Sequence, residues 1–200
     1  KASFTIKENT RLISRLALNE WKSLKNITLP NSVKYISKHA FVSCTSLTSI
    51  TLSNNLLSIG EDAFYRCSAL KSITIPNSVT DIGKNAFYEC TALMSITIPN
   101  SVTHIGEYAF YSCSALTSIS LSHTLTDIAN NTFRWCTSLS SITLPKNLLT
   151  IGSSAFYGCT SLSSITIPNC VNSIEDQAFS KCSSLISISI PETVTYIGAN

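Results

Sequence analysis

The stretch Ala86–Tyr108 reads A-F-Y-E-C-T-A-L-M-S-I-T-I-P-N-S-V-T-H-I-G-E-Y, and variants of it recur every 23 residues along the chain. Two of its columns return without a gap: Phe41, Phe64, Phe87, Phe110, Phe133, Phe156 and Phe179, and Cys44, Cys67, Cys90, Cys113, Cys136, Cys159 and Cys182. A fixed period of roughly 20–50 residues indicates a repeat solenoid, because one unit cannot bury its own apolar face and must stack on its neighbours.

The 200-residue chain carries few charges, and they are unevenly placed. Charged residues make up 12% of it, about half the usual share, which favours an extracellular or cell-surface setting. Residues 1–38 hold 8 of the 14 basic and 2 of the 11 acidic side chains. This basic end either contacts an anionic partner or is a solvated cap. No basic stripe with interleaved aromatic residues runs along the chain, so no nucleic-acid partner is expected.

The unbroken period predicts a single domain over residues 1–200. Residues 1–30 fit it loosely, as expected of a degenerate N-terminal repeat or cap, and residues 31–200 are regular repeats cut mid-repeat at the C-terminus. Because the first residue is Lys and no signal peptide precedes it, we expect a fragment trimmed at both ends. No apolar run of about 18 residues predicts a membrane span.

Each repeat divides into three predicted segments. The alternation in Leu-x-x-Ile-x-Ile-Pro, as in Leu70–Pro76, is typical of a short strand that ends at Pro. An extended stretch follows, with Val and Ile facing inward. The spacing in Ala-Phe-x-x-Cys-x-x-Leu then favours a short helical turn. The column of Gly60 is filled by Ser, Ala or Glu in other repeats, so we expect an ordinary turn there and no positive φ.

Eight positions in every full repeat are predicted to face the core. In the central repeat they are Ala86, Phe87, Cys90, Leu93, Ile96, Ile98, Val102 and Ile105. Burial of each large apolar side chain is worth about 1.5–3 kcal/mol. Stacked repeats therefore build one continuous core.

The motif I-G-x-x-A-F-x-x-C-x-x-L-x-x-I-x-I-P-x-x-V, which covers residues 31–198, resembles the leucine-rich repeat superfamily. Within it the chain is similar to the BspA-like class found on surfaces of bacteria and parasitic protists. The resemblance implies a curved solenoid with a parallel β-sheet on the concave face and short helical or extended convex segments. It also implies adhesion at the cell surface and binding of host matrix or cell-surface proteins. No ligand residue is implied, because the matching positions are structural.

The sequence lacks the motifs of common catalytic sites. It contains no G-x-x-x-x-G-K, H-E-x-x-H or G-x-S-x-G. His39, His104 and His123 lie at different repeat positions and are interpreted as solvated surface residues. We therefore expect neither an enzyme nor a cofactor.

The column of seven cysteines from Cys44 to Cys182, here called the cysteine ladder, has two possible interpretations, disulfide bridges or buried free thiols. Ladder side chains point in parallel, whereas a bridge needs Cβ vectors aimed at each other, and free Cys behaves as a small hydrophobe. The 23-residue spacing also lacks the clustered ligands of a metal site. We predict reduced, buried thiols and no metal, with Cys170 exposed.

Two surface columns are candidates for binding. A hydroxyl-rich one follows the strand: Thr28, Thr51, Thr74, Thr97, Ser120, Thr143, Thr166 and Ser189. An aromatic one follows the Phe column: Tyr65, Tyr88, Tyr111, Trp135 and Tyr157. Thr also simply suits an exposed strand, and Tyr could shield the turns, but Tyr is enriched at interfaces. We predict that a protein partner docks on the aromatic edge. The rings of Tyr65, Tyr88 and Tyr111, in three consecutive repeats, should form a row spaced by roughly 4.8 Å.

Three functions are consistent with this surface. The first is an adhesin-like, non-enzymatic module that engages host or matrix proteins. The second is a structural spacer that projects another domain. The third is recognition of a regular glycan or ice lattice by the Ser/Thr face. Sequons at Asn26 and Asn130 would be glycosylated only in a eukaryotic source.

Overall fold

A computed structural model describes residues 4–199 as a parallel β-solenoid of about eight turns. Its described part has thirteen short strands: β1 (Leu12–Ile13), β2 (Asn26–Thr28), β3 (Tyr35–Ile36), β4 (Ser49–Thr51), β5 (Ser58–Ile59), β6 (Asp81–Ile82), β7 (Ser95–Thr97), β8 (His104–Ile105), β9 (Ser118–Ser120), β10 (Asp127–Ile128), β11 (Thr150–Ile151), β12 (Ser173–Ile174) and β13 (Tyr196–Ile197). Each turn contributes equivalent residues, so the elements stack along the solenoid.

All strand pairs are parallel, and paired residues lie one repeat apart. The strand predicted at Ile-x-Ile forms the pairs β2–β4 and β7–β9, with single bridges at Ser72↔Ser95 and Ser141↔Ser164. The segment predicted only as extended forms the larger sheets, β1-β3-β5-β6-β8 and β10-β11-β12-β13. The register Ile59↔Ile82 is typical, since it places each inward Ile on its copy in the next turn.

The predicted helical turn after Gly is wrong, because residues 4–199 contain no helix. The backbone N–H groups of this segment instead alternate between two kinds of acceptor. One N–H donates to a carbonyl of the next repeat, and the following one donates to the carbonyl three residues before it. Phe41 N donates to Ala63 O at 2.8 Å, and Cys44 N donates to Phe41 O at 3.2 Å. The apolar spacing of three and four residues thus arises from consecutive turns, which satisfy the backbone of each repeat against its neighbour.

Two residues per repeat make these turns possible by adopting positive φ. The first column includes Asp62 (54°) and Asn85 (54°), and the second includes Arg66 (58°) and Glu89 (53°). Most members are not Gly, although such a conformation costs about 1–3 kcal/mol at an ordinary residue. The ladder of inter-repeat hydrogen bonds and the packed core hold the chain in it.

The core follows the predicted columns. All eight inward side chains of the central repeat are buried. The Phe rings form an unbroken stack, with centroids 5.1–5.6 Å apart from Phe41 to Phe179. Parallel stacking at this distance follows from the repeat rise, since each ring occupies the same position one repeat further along.

The cysteine ladder consists of buried free thiols, as predicted, and Cys170 is exposed. Each ladder Sγ donates to a carbonyl in the preceding repeat, as Cys113 Sγ does to Phe87 O at 3.2 Å. Burial raises the pKa of the Cys113 thiol to about 12 and that of Cys182 to about 11. Both thiols therefore stay protonated at neutral pH and serve as hydrogen-bond donors within the core.

The Gly column that contains Gly60 does not adopt positive φ, as predicted. Gly is favoured at these positions because the backbones of neighbouring turns approach closely there. A Cβ on Gly60 would lie 2.7 Å from Ile36 O and 2.8 Å from Lys38 N. Gly thus lets the backbone of one repeat lie directly against the preceding one.

Candidate functional site

The aromatic edge begins with a row of three tyrosines. Each follows an inward Phe by one residue, and the turn places it half-buried on the outside of the solenoid. The ring centroids of Tyr65 and Tyr88 lie 4.7 Å apart, and those of Tyr88 and Tyr111 lie 4.4 Å apart. The predicted spacing is confirmed. The interplanar angles of 14° and 6° mean that the rings cover each other's faces, which leaves their edges for other contacts.

Close packing within this row raises the pKa of its central residue, Tyr88. Desolvation, and after it the neighbouring Tyr111 and Glu89, raises the pKa of the Tyr88 phenol to about 12. Tyr88 is therefore protonated at neutral pH. Its hydroxyl can donate or accept a hydrogen bond at the surface of the edge.

The other end of the edge is built differently. The Trp135 and Tyr157 rings meet edge to face, at 5.2 Å and 77°. Gly158 makes room for the indole, because a Cβ there would lie 2.4 Å from Trp135 Cε3. Trp135 stays half-buried while Tyr157 is 8% exposed. The structure thus divides the predicted edge into a stacked tyrosine row and a separate Trp135–Tyr157 contact.

Cations flank both ends, and the sequence-based prediction did not include them. Arg66 lies 5.2 Å from the Tyr65 centroid, while Arg134 and Lys181 lie 4.3 Å and 5.1 Å from that of Tyr157. Such contacts are worth about 0.5–2 kcal/mol. The period could have indicated these cations, because Arg134 occupies the column of Tyr65, Tyr88 and Tyr111, and Lys181 occupies that of Trp135 two repeats later.

The Ser/Thr face is the second predicted surface. Its eight hydroxyl residues are all exposed, and the registers Thr28↔Thr51 and Thr97↔Ser120 keep neighbours opposite each other. Part of this face lines a groove of about 580 Å³, to which Thr74, Thr97, Asn77 and Asn100 contribute. The groove lining is uncharged and lacks aromatic rings.

His39 is less solvated than the sequence predicted. It is half-buried, and its Nδ1 lies 3.4 Å from Asp62 Oδ2. Burial of Asp62 raises the pKa of its carboxyl, and the amide of Asn85 hydrogen-bonds Oδ1 at 3.1 Å. This pair ties neighbouring repeats together.

No group of three metal-ligating side chains and no helix able to span a membrane occurs within residues 4–199.

The sequence profile of the BspA type leucine rich repeat region, in six copies, matches residues 2–117 and 103–200. The chain belongs to the BspA-type leucine-rich repeat family. As a BspA-type repeat protein it shares its architecture with solved bacterial structures. No match is found among the curated proteins.

Three solved leucine-rich repeat structures resemble this BspA-type chain. The Treponema pallidum leucine-rich repeat protein is 34% identical, with a TM-score of 0.72 over 76% of this chain and 71% of its own. The Bacteroides ovatus protein is 32% identical, with a TM-score of 0.84 over 98% of this chain and 56% of its own. A leucine-rich cell surface protein from Faecalibacterium prausnitzii is 29% identical, with a TM-score of 0.50 over 92% and 62%.

Proposed function

We propose that this chain is a non-enzymatic, adhesin-like binding module that engages host matrix or cell-surface proteins at a cell surface. The observation that carries the proposal is the aromatic edge, where the half-buried rings of Tyr65, Tyr88, Tyr111 and Trp135 lie on the outside of the solenoid and buried Tyr157 contacts Trp135. Trp, Tyr and Arg dominate the binding energy of protein interfaces. A surface location is supported by the family and by the Faecalibacterium prausnitzii structure, which is described as a cell surface protein.

The first experiment captures partners with the immobilised chain from a panel of purified extracellular matrix and cell-surface proteins. We expect at least one saturable interaction. Silence across a broad panel would contradict the proposal and favour a structural spacer that projects another domain.

A captured partner then allows the edge to be tested against the Ser/Thr face. We expect Tyr88→Ala to weaken affinity by at least about 1 kcal/mol, because interface energy concentrates in a few large anchors. Thr97→Ala, the matched control on the other face, should change it little. Affinities are measured by calorimetry. The reverse ranking would discard the aromatic edge and place the partner on the hydroxyl face.

Recognition of a regular glycan or an ice lattice is a second candidate, supported by one observation. The exposed hydroxyls of Thr97 and Ser120 repeat in register along an uncharged groove. If this function holds, Thr97→Ala should reduce retention on insoluble polysaccharide or ice and Tyr88→Ala should not.

A further inference from the structure

The two ends of the aromatic edge differ in how their charges are neutralised. Beside the tyrosine row, Arg66 Nε bonds Glu89 at 2.8 Å and Lys84 Nζ bonds Glu107 at 3.0 Å. Beside Trp135, neither Arg134 nor Lys181 lies within 4.0 Å of a carboxylate of the described residues. One end is thus internally compensated, and the other carries two uncompensated positive charges.

These two cations converge on one aromatic ring. Arg134 lies 4.3 Å from the Tyr157 centroid and Lys181 lies 5.1 Å from it, while Lys181 is also 5.7 Å from the Trp135 ring. Arg134 Nη1 donates to Asn131 Oδ1 at 3.3 Å, but its Nε is buried without a hydrogen-bond partner. The guanidinium keeps its positive charge, and those of its donors that face solvent can pair with a carboxylate.

We propose that Arg134, Trp135, Tyr157 and Lys181, here called the Trp135 cluster, bind an acidic peptide segment of the protein partner. A carboxylate pairs with Arg134 and Lys181, and an adjacent apolar side chain packs on the exposed part of Trp135. This assignment rests on the proposed function, and it adds a second anchor at the other end of the aromatic edge. The faces of the tyrosine rings are covered by their stacking on one another. The Trp135 cluster instead combines a partly exposed indole with cations that have no carboxylate partner.

The arrangement favours an acidic peptide over a polyanionic glycan. A polyanion is held by several cations in a row, because each contributes a small screened attraction. The cluster has two cations, and the residues before and after it in the same columns, Ser112 and Ser180, are uncharged. Two charges beside an aromatic surface match a short segment with one or two carboxylates and an apolar neighbour.

The experiment uses Trp135 fluorescence as a local reporter. Trp21→Phe removes the second of the two Trp residues, so that emission comes from the cluster. The probes are a Glu/Asp-rich heptapeptide with one central Leu, the same peptide with Gln and Asn in place of the acids, and heparin. We expect a saturable emission change with the acidic peptide and at least about fivefold weaker binding for Lys181→Gln. Arg66→Gln, the control cation, should leave binding unchanged.

Three outcomes would overturn the inference: an equal response to the neutral peptide, saturation by heparin alone, or unchanged binding in both Lys181→Gln and Arg134→Gln. Lys181 is exposed, so its variant tests the idea even where Arg134→Gln unfolds, which thermal melts detect. The proposed function is judged separately. A captured host protein whose affinity survives both substitutions refutes the Trp135 cluster alone, whereas peptide binding without any captured protein refutes the proposed partner alone.

Discussion

Phe110 shows how a single residue supports the solenoid. Its side chain is fully buried and stacks on Phe87 at 5.3 Å and on Phe133 at 5.6 Å. Because both neighbouring turns rest on this ring, the cavity left by its removal cannot collapse without breaking the inter-repeat ladder.

We expect Phe110→Ala to lower the free energy of unfolding by about 3–5 kcal/mol, the usual cost of truncating a buried aromatic side chain. Urea denaturation followed by circular dichroism measures it. Thr97→Ala, at an exposed position, is the control and should cost less than about 0.5 kcal/mol. A loss under about 1 kcal/mol in Phe110→Ala would mean that the ring does not support the core.

At the scale of an element, the cysteine ladder makes the free energy of unfolding fall as the pH rises into the alkaline range. Burial raises the thiol pKa above 9.0 in Cys67, Cys90, Cys113, Cys136, Cys159 and Cys182. With the folded pKa above the unfolded one, the stability is complete below pH 9.0 and is lost as the pH rises towards the folded pKa. These six thiols release protons in that window only from the unfolded state, at about 1.4 kcal/mol per thiol and pH unit.

We therefore predict a steep fall in the free energy of unfolding between about pH 9 and pH 10, measured by urea denaturation under reducing conditions. Cys113→Ala should reduce the slope by about one proton, whatever its effect on absolute stability. Thr97→Ala, which removes no titratable group from an exposed position, is the control and should keep the slope. Equal slopes in all three proteins would show that Cys113 ionises alike in both states.

The element scale also explains why a turn replaced the predicted helix. A helix requires consecutive residues with negative φ, whereas His39 (60°) and Ser43 (56°) flank the Phe41 segment with positive φ. Asn and Asp tolerate that conformation, but Tyr108 (57°) and Trp135 (62°) adopt it as well. Local propensity therefore did not indicate the turn. Hydrogen bonds to the next repeat impose it.

At the scale of the whole molecule, the solenoid is a series of units that contact only their neighbours. Every strand pair keeps a register of one repeat, as Ser95↔Ser118 does, so that each turn packs on its neighbour in the same way. Stability should then depend on the number of repeats and on their register.

Deleting residues 87–109 joins Ala86 to Phe110 and removes one full period. We expect the shorter chain to unfold cooperatively in urea, with a smaller m-value because less surface is buried. Deleting residues 87–106 removes a comparable length but shifts every later column off the core, and this control should abolish cooperative unfolding. Equal behaviour of the two deletions would contradict a core set by the 23-residue register.

The sequence by itself determined the period, the core columns, the burial of the cysteines and the regular spacing of the tyrosine row. These follow from the period, because residues 23 apart must stack whatever the local backbone does. The same rule would have paired Arg66 with Glu89 and Lys38 with Glu61, at 2.8 Å and 2.7 Å.

Only the tertiary structure decided the turns in the Phe segment and the composition of the Trp135 cluster. Backbone bonding between repeats outweighs the local preference of residues such as Tyr108, so the backbone there depends on the neighbouring turn. Trp135 lies over Gly158, and Arg134 and Lys181 converge on Tyr157, because of side-chain rotamers and one missing Cβ. Rotamers are fixed by packing in three dimensions, which a one-dimensional period does not contain.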